Sequence, residues 1–391
     1  MSLIGAHVGL APAGSLLAAY RADSCFVFSS ARGALLAEGA YFTVSSPPRD
    51  GGLADLAARV GGSLRGAAAA GHEHPIVVGA VPFSSATDAC LVIPRSVRHA
   101  PTLVPPGHHL RYKYLLGREE AVPHPESYVE AVREAITHLR SGRLAKVVLA
   151  RSLRIPFDGR LTPLLAALAR HDPAGYTFAV PLRDGRVLLG ASPELLVSRR
   201  GRNVAANPLA GSAPRSADPA EDRSRARGLL ESAKDRHEHA LVVDAVAESL
   251  RPLCGTLTVP AEPVLTRTAT MWHLSTTVTG ELADPGVSSL TLAAALHPTP
   301  AVCGVPTEAA RRLIAELEPF DRDFYTGVVG WENASGDGEW ALTIRCAIAD
   351  GSVISLFAGA GIVADSDPEA ELAETTAKFG TALRALGLTH A

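Results

Sequence analysis

The sequence predicts an α+β fold in which antiparallel strand pairs pack against amphipathic helices. Short apolar runs separated by turns fill the first hundred residues, a pattern typical of a sheet. Later in the chain, pairs of apolar runs are separated by a short loop that contains Gly and Asp, and such loops join antiparallel neighbours. The two clearest pairs are residues 176–180 with 187–189, and residues 325–331 with 340–347.

Helical periodicity marks the segments between these strands. Apolar residues recur at helical spacing over residues 127–139, and an Ala/Leu-rich helix is predicted within residues 52–70. Residues 302–317 begin as a turn and continue as a helix, and residues 219–250 are predicted as one long helix. The sequence contains no internal repeat and no low-complexity tract.

Composition argues against several classes of protein. A chain of 391 residues suggests two or three domains at about 150 residues each. The net charge of −3 disfavours a nucleic-acid binder, which normally carries a basic stripe. Five scattered cysteines without a C-x-x-C motif fit reduced thiols in a cytoplasm. No apolar run is long enough to span a membrane, and we expect no signal peptide.

Residues 355–378 are predicted to form a strand, a glycine-bearing turn and a helix. Asp367 is a good N-cap and Pro368 suits the first helical position. Glu371, Glu374 and Lys378 share a helix face away from the apolar one, which can simply be a solvated face with a Glu374–Lys378 pair. The preceding glycines instead favour an anion cradle, and hence a site for an acidic substrate with a divalent cation between carboxylates.

A second acidic stripe is predicted on the long helix. Glu231, Asp235 and Glu238 recur at helical spacing, and like charges on one stripe repel unless a cation compensates them. This pattern hints at a metal. His237 and His239 flank Glu238, but they lack the i,i+4 spacing of a zinc-protease motif.

Three further charged residues stand among apolar neighbours. Lys146 lies in a strand predicted over residues 144–151, where a lysine can also extend to solvent from a strand edge. Glu194 follows a Ser-Pro turn and can either face a site or be exposed on the outer surface. Arg345 is predicted in mid-strand, where burial would be costly without a carboxylate partner.

Taken together, the segments resemble the chorismate-utilising enzymes, which include isochorismate, salicylate, anthranilate and aminodeoxychorismate synthases. The matching segments follow the family's order along the chain. They are residues 146–151, 192–196, 207–211, 235–239, 273–276, 297–301, 325–331, 343–345 and 357–363, with a looser match at 79–83.

The resemblance implies one large domain over residues 1–391, with an anthranilate synthase component I-like fold. Two antiparallel sheets would stack as a sandwich with helices outside, in place of several domains. Residues 1–120 would form a sheet-rich half and residues 121–391 the region with the catalytic signatures. The resemblance also suggests a monomer that needs no glutaminase subunit. The composition, in turn, favours a cytoplasmic chain without a membrane or nucleic-acid partner.

Within the family, Lys146 together with Ala210 implies that water is the nucleophile. Enzymes that add water have a lysine at the Lys146 position, whereas aminodeoxychorismate synthases tend to have one at the Ala210 position. The pattern is most similar to isochorismate synthases of siderophore or menaquinone pathways. Salicylate synthase, which goes on to eliminate pyruvate, is the nearest alternative, and a non-catalytic chorismate-binding subunit is a third.

The resemblance also implies a role for each candidate residue. Lys146 would activate water for attack at C2 of chorismate, and Glu194, kept protonated by a raised pKa, would protonate the departing C4 hydroxyl. Mg²⁺ would be held by Glu238 and Glu374, with Asp235 and Glu371 acting through water. The substrate would contact the N–H groups of Gly359 and Gly361, the side chains of Tyr325, Arg345, His273 and Lys378, and the turn at Ala301 and Val302.

Overall fold

The computed structural model describes residues 11–12, 14–46, 52–104, 119–157 and 160–388. Within these ranges, every helix is too short or too polar to cross a lipid bilayer. The helices are α1 (Ser15–Ala19), α2 (Leu53–Ala69), α3 (Pro125–Arg140), α4 (Leu161–His171), α5 (Pro219–Glu231), α6 (Ala233–Leu250), α7 (Ser289–Leu296), α8 (Thr307–Leu317) and α9 (Pro368–Ala385).

Most of the strands are short, and the pair predicted at residues 176–180 and 187–189 begins where the sequence places it. They are β1 (Cys25–Ser30), β2 (Gly33–Val44), β3 (Ile76–Val81), β4 (Cys90–Ala100), β5 (Glu120–Val122), β6 (Lys146–Pro156), β7 (Tyr176–Pro181), β8 (Val187–Ser192), β9 (Leu195–Arg200), β10 (Asn203–Asn207), β11 (Leu209–Pro214), β12 (Cys254–Thr258), β13 (Val264–Arg267), β14 (Met271–Ser275), β15 (Val278–Leu282), β16 (Gly304–Val305), β17 (Val328–Asn333), β18 (Gly338–Leu342), β19 (Cys346–Asp350) and β20 (Val353–Ile362).

Antiparallel pairing connects these strands into two halves. One half runs from β6 through β20, β19, β8 and β7 to β1, with β5 and β16 on the other edge of β6. The long strand β2 pairs with both β1 and β4, and so leads into the second half. That half runs from β4 through β3, β17, β18, β9, β10 and β15 to β12. Strands β11, β14 and β13 form a separate small sheet.

The core shows that the two halves are stacked face to face. One apolar cluster joins Phe28 and Phe178 of the first half to Val78 and Val329 of the second. Helices α4 and α9 cover the outer side of the first half, and α2, α6 and α7 cover that of the second. The predicted sandwich with helices outside is therefore confirmed.

The long helix predicted over residues 219–250 is wrong, because two helices meet at Ser232. Ser232 ends α5 in an extended conformation, and its hydroxyl accepts a hydrogen bond from Asp235 N as the N-cap of α6. A serine that caps one helix competes with continuation of the preceding one. The predicted acidic stripe is broken too, since Glu231 belongs to α5 and is exposed.

The mid-strand placement of Arg345 is also wrong. Arg345 lies between β18 and β19 with φ 50°, in the left-handed region that non-glycine residues seldom adopt. At this point the chain leaves β9 and β17, the partners of β18, and joins β8 and β20, the partners of β19. The change of partners requires a turn that the alternating sequence pattern does not reveal.

Candidate active site

A cavity of about 60 Å³ lies where β6, β20, α6, α9 and the small sheet meet. Ten of the residues predicted for the site line this cavity. They are Glu194, Glu238, His273, Ala301, Tyr325, Arg345, Gly359, Gly361, Glu374 and Lys378. The lining also includes Ala210 and Val302, two further positions that the family resemblance implies for the site.

Lys146 is fully buried in β6, directly behind the cavity wall. Its Nζ lies 2.8 Å from Oε1 of Glu238, which does line the cavity. The exposed fraction of Lys146 is 0%. The alternative of a lysine extending to solvent is therefore wrong, and the ammonium is held at the site by a carboxylate.

Gly361 makes room for this ion pair. A Cβ at position 361 would lie 2.1 Å from Oε1 of Glu238 and 2.9 Å from Cε of Lys146. Gly359 is similarly constrained, because its Cβ would lie 2.8 Å from the hydroxyl oxygen of Tyr325. Both glycines lie within β20 and not in the predicted turn. They are needed for the close approach of side chains across the strand.

Glu194 lies between β8 and β9 and is buried, so the alternative of an exposed glutamate is wrong. Its Oε1 accepts a hydrogen bond from Leu209 N at 3.2 Å. Burial raises the pKa of Glu194 to about 7, even though the Leu209 N–H and the nearby charges of Lys146 and Arg345 act in the opposite direction. A carboxyl group of this kind can donate a proton near neutral pH.

Arg345 brings an uncompensated positive charge to the cavity. It is buried, and no described carboxylate lies within ion-pair distance of its guanidinium. Its Nη2 lies 3.4 Å from Nε2 of His273, and its Nε has no hydrogen-bond partner in the described part of the chain. A buried guanidinium with unused donors is costly unless an anionic ligand completes it. The arrangement therefore suits a substrate carboxylate.

His273 and Tyr325 stand beside this guanidinium in the lining. Burial and then the charge of Arg345 hold the pKa of His273 well below its usual range, so the imidazole is neutral. Gly211 also contributes a backbone hydrogen bond to His273. Burial raises the pKa of Tyr325, and its ring stacks on Phe357 at 5.1 Å. Tyr325 therefore keeps its proton and can donate a hydrogen bond.

The acidic face of α9 points into the site and is not a solvated surface. Lys378 Nζ lies 2.5 Å from Oε1 of Glu374 and 2.9 Å from the carbonyl oxygen of Gly359. The predicted i,i+4 pair exists, but it faces the cavity and ties α9 to β20. Burial acts to raise the pKa of Glu374, but the charge and hydrogen bond of Lys378 outweigh it and lower that pKa.

The remaining predicted metal residues lie just outside the lining. Glu371 is buried and its Oε1 lies 2.7 Å from Nζ of Lys234, a residue that the sequence did not single out. Burial, and next the charge of Glu374, raise the pKa of Glu371 to about 6. Asp235 is half-buried in the first turn of α6, and burial raises its pKa as well.

The carboxylates fit a divalent cation in part. Glu238 and Glu374 line one cavity from two helices, and a site with two carboxylates suits a hard cation that keeps water and takes substrate oxygens as its other ligands. Each of Glu238, Glu371 and Glu374 also has its own lysine. In the part of the chain with described side chains, no three acidic, histidine or cysteine residues are close enough to hold a metal by themselves.

Comparison with known proteins gives consistent matches. The family model described as "Chorismate binding enzyme" matches residues 108–387. The isochorismate synthase DhbC of Bacillus subtilis is 49% identical over 391 residues, with 96% of each chain covered.

Two solved structures extend the likeness to the fold. The crystal structure of DhbC from Bacillus anthracis matches with a TM-score of 0.89 and 48% identity, over 96% of this chain and 99% of that one. MenF, the menaquinone-specific isochorismate synthase of Escherichia coli, matches with a TM-score of 0.80 and 25% identity, over 95% of this chain and 90% of that one.

Proposed function

The chain belongs to the chorismate-binding enzyme family, and on this basis we propose that it is an isochorismate synthase. Family membership confirms the resemblance found in the sequence. The reaction is the conversion of chorismate to isochorismate, in which water adds at C2 and the C4 hydroxyl leaves. Relatives that carry this name cover nearly the whole chain.

The observation that carries the proposal is the contrast between Lys146 and Ala210. Lys146 is buried against the cavity, while Ala210 lines it and presents only a methyl group. By the family resemblance, a lysine at the first position activates water. The absence of a lysine at the second position disfavours the aminodeoxychorismate reaction.

The residues provide for both carboxylates of chorismate. Arg345 and Tyr325 bind the enolpyruvyl carboxylate through charge-assisted hydrogen bonds, and Arg345 has the unused donors to do so. The N–H groups near Gly359 and Gly361 bind the ring carboxylate. Glu238 and Glu374 would hold Mg²⁺, with Asp235 and Glu371 as outer ligands through water, and the cation would supply positive charge to neutralise that carboxylate.

The chemical step uses a base and an acid on opposite sides of the ring. Lys146, in its neutral amine form, accepts a proton from a water molecule as the water oxygen bonds to C2. The ring double bond shifts, the C4–oxygen bond breaks, and Glu194 gives its proton to the departing hydroxyl, which leaves as water. The raised pKa of Glu194 supports its role as the acid.

The proposal is tested by incubating the isolated chain with chorismate and Mg²⁺ and separating the products by chromatography. Isochorismate is expected as the product. Salicylate together with pyruvate would identify a salicylate synthase instead, and no turnover in the absence of a partner would favour a non-catalytic subunit.

Two variants test the assigned roles. Lys146→Ala and Glu194→Gln are each expected to abolish turnover while the fold, followed by circular dichroism, is retained. Near-normal activity in either variant would overturn the role given to that residue.

A further inference from the structure

We infer that Arg322 is a positioning residue for this reaction, which holds three parts of the cavity wall in place. Its Nη1 donates to the carbonyl oxygen of Val302 at 2.7 Å, and its Nη2 to that of Val148 at 2.7 Å. Nη1 also lies 3.4 Å from Oγ1 of Thr326. Val148, Val302 and Thr326 all line the cavity, whereas Arg322 does not.

The three contacts join segments that are far apart in the chain. Val148 belongs to β6, two residues after Lys146. Val302 lies in the loop between α7 and β16, and Thr326 lies in the turn before β17. Thr326 has φ 61°, an unusual conformation for a β-branched residue. One guanidinium therefore fixes the strand of the proposed base and two loops of the substrate pocket.

Arg322 and Glu318 also fill a gap in the sheet. On one edge of β6, β16 pairs with Lys146 and Val147, and pairing with β5 begins only at Ser152. Between these strands, Arg322 donates to Val148 O, and Ala150 N donates to Oε1 of Glu318 at 2.8 Å. The ion pair thus supplies hydrogen bonds that a neighbouring strand would otherwise make.

Arginine is the side chain that this arrangement requires. Glu318 accepts from Arg322 Nε at 2.8 Å and from Nη2 at 2.5 Å, and both side chains are almost completely buried. With the contacts to Val148, Val302 and Thr326, all five guanidinium N–H donors have an acceptor. A lysine offers only three donors from a single point and cannot reproduce this geometry.

The test compares Arg322→Lys with a matched control, Arg199→Lys. Arg199 is also buried and donates to three backbone carbonyl oxygens, those of Gly201, Ser335 and Pro285, none of which lines the cavity. Both variants are expected to lower the midpoint of thermal unfolding. If the role of Arg322 were purely structural, Arg322→Lys would reduce the fraction of folded, active enzyme and leave KM for chorismate unchanged.

For folded Arg322→Lys, we expect kcat/KM for chorismate to fall by about 10- to 100-fold, with KM raised as well as kcat lowered, because the reacting groups are misplaced. Arg199→Lys is expected to keep the wild-type KM and the wild-type kcat per folded molecule. A folded Arg322→Lys with both constants within about twofold of wild type, or equal kinetic losses in the two variants, would overturn the inference.

Glu318→Gln provides a second measurement if Arg322→Lys does not fold. It keeps the shape of the side chain but loses the second acceptor oxygen. We therefore expect KM to rise and kcat to fall, each by less than in Arg322→Lys. Failure of both variants to fold would overturn the inference, since the pair would then serve folding alone. The inference rests on the proposed function, which turnover of chorismate by the wild-type chain tests separately.

Discussion

Burial prepares the carboxyl group of Glu194 to donate a proton. Among the described residues, no lysine or arginine lies at ion-pair distance from its carboxyl group, unlike those of Glu238 and Glu374. Its one hydrogen bond from Leu209 N does not offset the cost of burying a charge, so its pKa rises to about 7. Glu238 and Glu374 each pair with a lysine, whereas Glu194 pairs with no described one. The three glutamates of this cavity can therefore play different roles.

This pKa fixes the expected pH dependence. The acid form of Glu194 is required, and it is lost as the pH rises through the folded-state pKa of about 7. We therefore expect the slope of log(kcat/KM) for chorismate against pH to decrease by about one near pH 7, because the acid form of Glu194 is lost there. A pH–rate profile without an inflection between about pH 6 and 8 would contradict the assignment.

Gly361 leads to a prediction with an internal control. Gly361→Ala places a Cβ 2.1 Å from Glu238 Oε1, so we expect the Lys146–Glu238 pair to shift and turnover to be lost. Gly66→Ala in α2 meets nothing within 4 Å and is expected to keep full activity and gain up to about 1 kcal/mol in the free energy of unfolding. Activity assays and thermal melts of both variants check this. Wild-type turnover by Gly361→Ala would disprove the prediction that a Cβ at position 361 displaces the Lys146–Glu238 pair.

At the scale of the element, the N-terminus of α6 sets the position of several charged residues. The hydroxyl of Ser232 caps this helix, and its first two turns carry Lys234, Asp235 and Glu238. Lys234 pairs with α9 and Glu238 with β6. The cap therefore determines where the acidic side chains of α6 stand relative to those of α9.

Ser232→Ala is expected to lower the free energy of unfolding by about 1 kcal/mol and to weaken Mg²⁺ binding, measured by calorimetry. The matched control is Ser288→Ala, which removes the N-cap of α7, where Thr291 N donates at the same distance of 3.2 Å. That change should destabilise the protein to a similar extent without altering Mg²⁺ affinity. Equal Mg²⁺ affinities for the two variants would count against a role for the α6 cap.

Local signals explain what the sequence could and could not predict. The start of α9 was predicted correctly because Asp367, Pro368 and the acidic first turn act within the helix itself. The break at Ser232 and the left-handed turn at Arg345 depend on which strands and helices the chain joins next, so periodicity alone misses them. Arg322 was missed since an i,i+4 Glu–Arg pair is usually an exposed pair with little effect.

The family resemblance supplied most of the site. It brought together residues from β8 to α9 whose proximity no local pattern reveals, and ten of them do line one cavity. Lys234 was missed, although it could have been noticed as a basic residue one helical turn before Glu238. Val148, which shares a strand face with Lys146, follows from period-two alternation.

On the scale of the whole molecule, two stacked halves and their outer helices place six opposite charges around one site. Lys146, Lys234 and Lys378 come from β6, α6 and α9, and each lies against a different glutamate. Their charges balance in the absence of a cation. We therefore expect that the fold does not depend on a metal to offset repulsion between these carboxylates.

Removal of metal should accordingly stop turnover without unfolding the protein. With a chelator present, we expect a cooperative thermal transition whose midpoint lies only slightly below that of the Mg²⁺-loaded protein, as mass action requires. Calorimetric scans with and without Mg²⁺ check this. Loss of the cooperative transition on chelation would show that the lysines do not compensate the carboxylates.

The small volume of the cavity has a consequence for kinetics. About 60 Å³ accommodates only a few water molecules, far less than the roughly 300 Å³ or more of a typical ligand pocket. We therefore expect side chains that line the cavity to move before a ring with two carboxylates can enter, and again before the product leaves. Solvent friction slows such a motion. If release of product is rate-limiting, turnover should therefore be slower in viscous sucrose solutions.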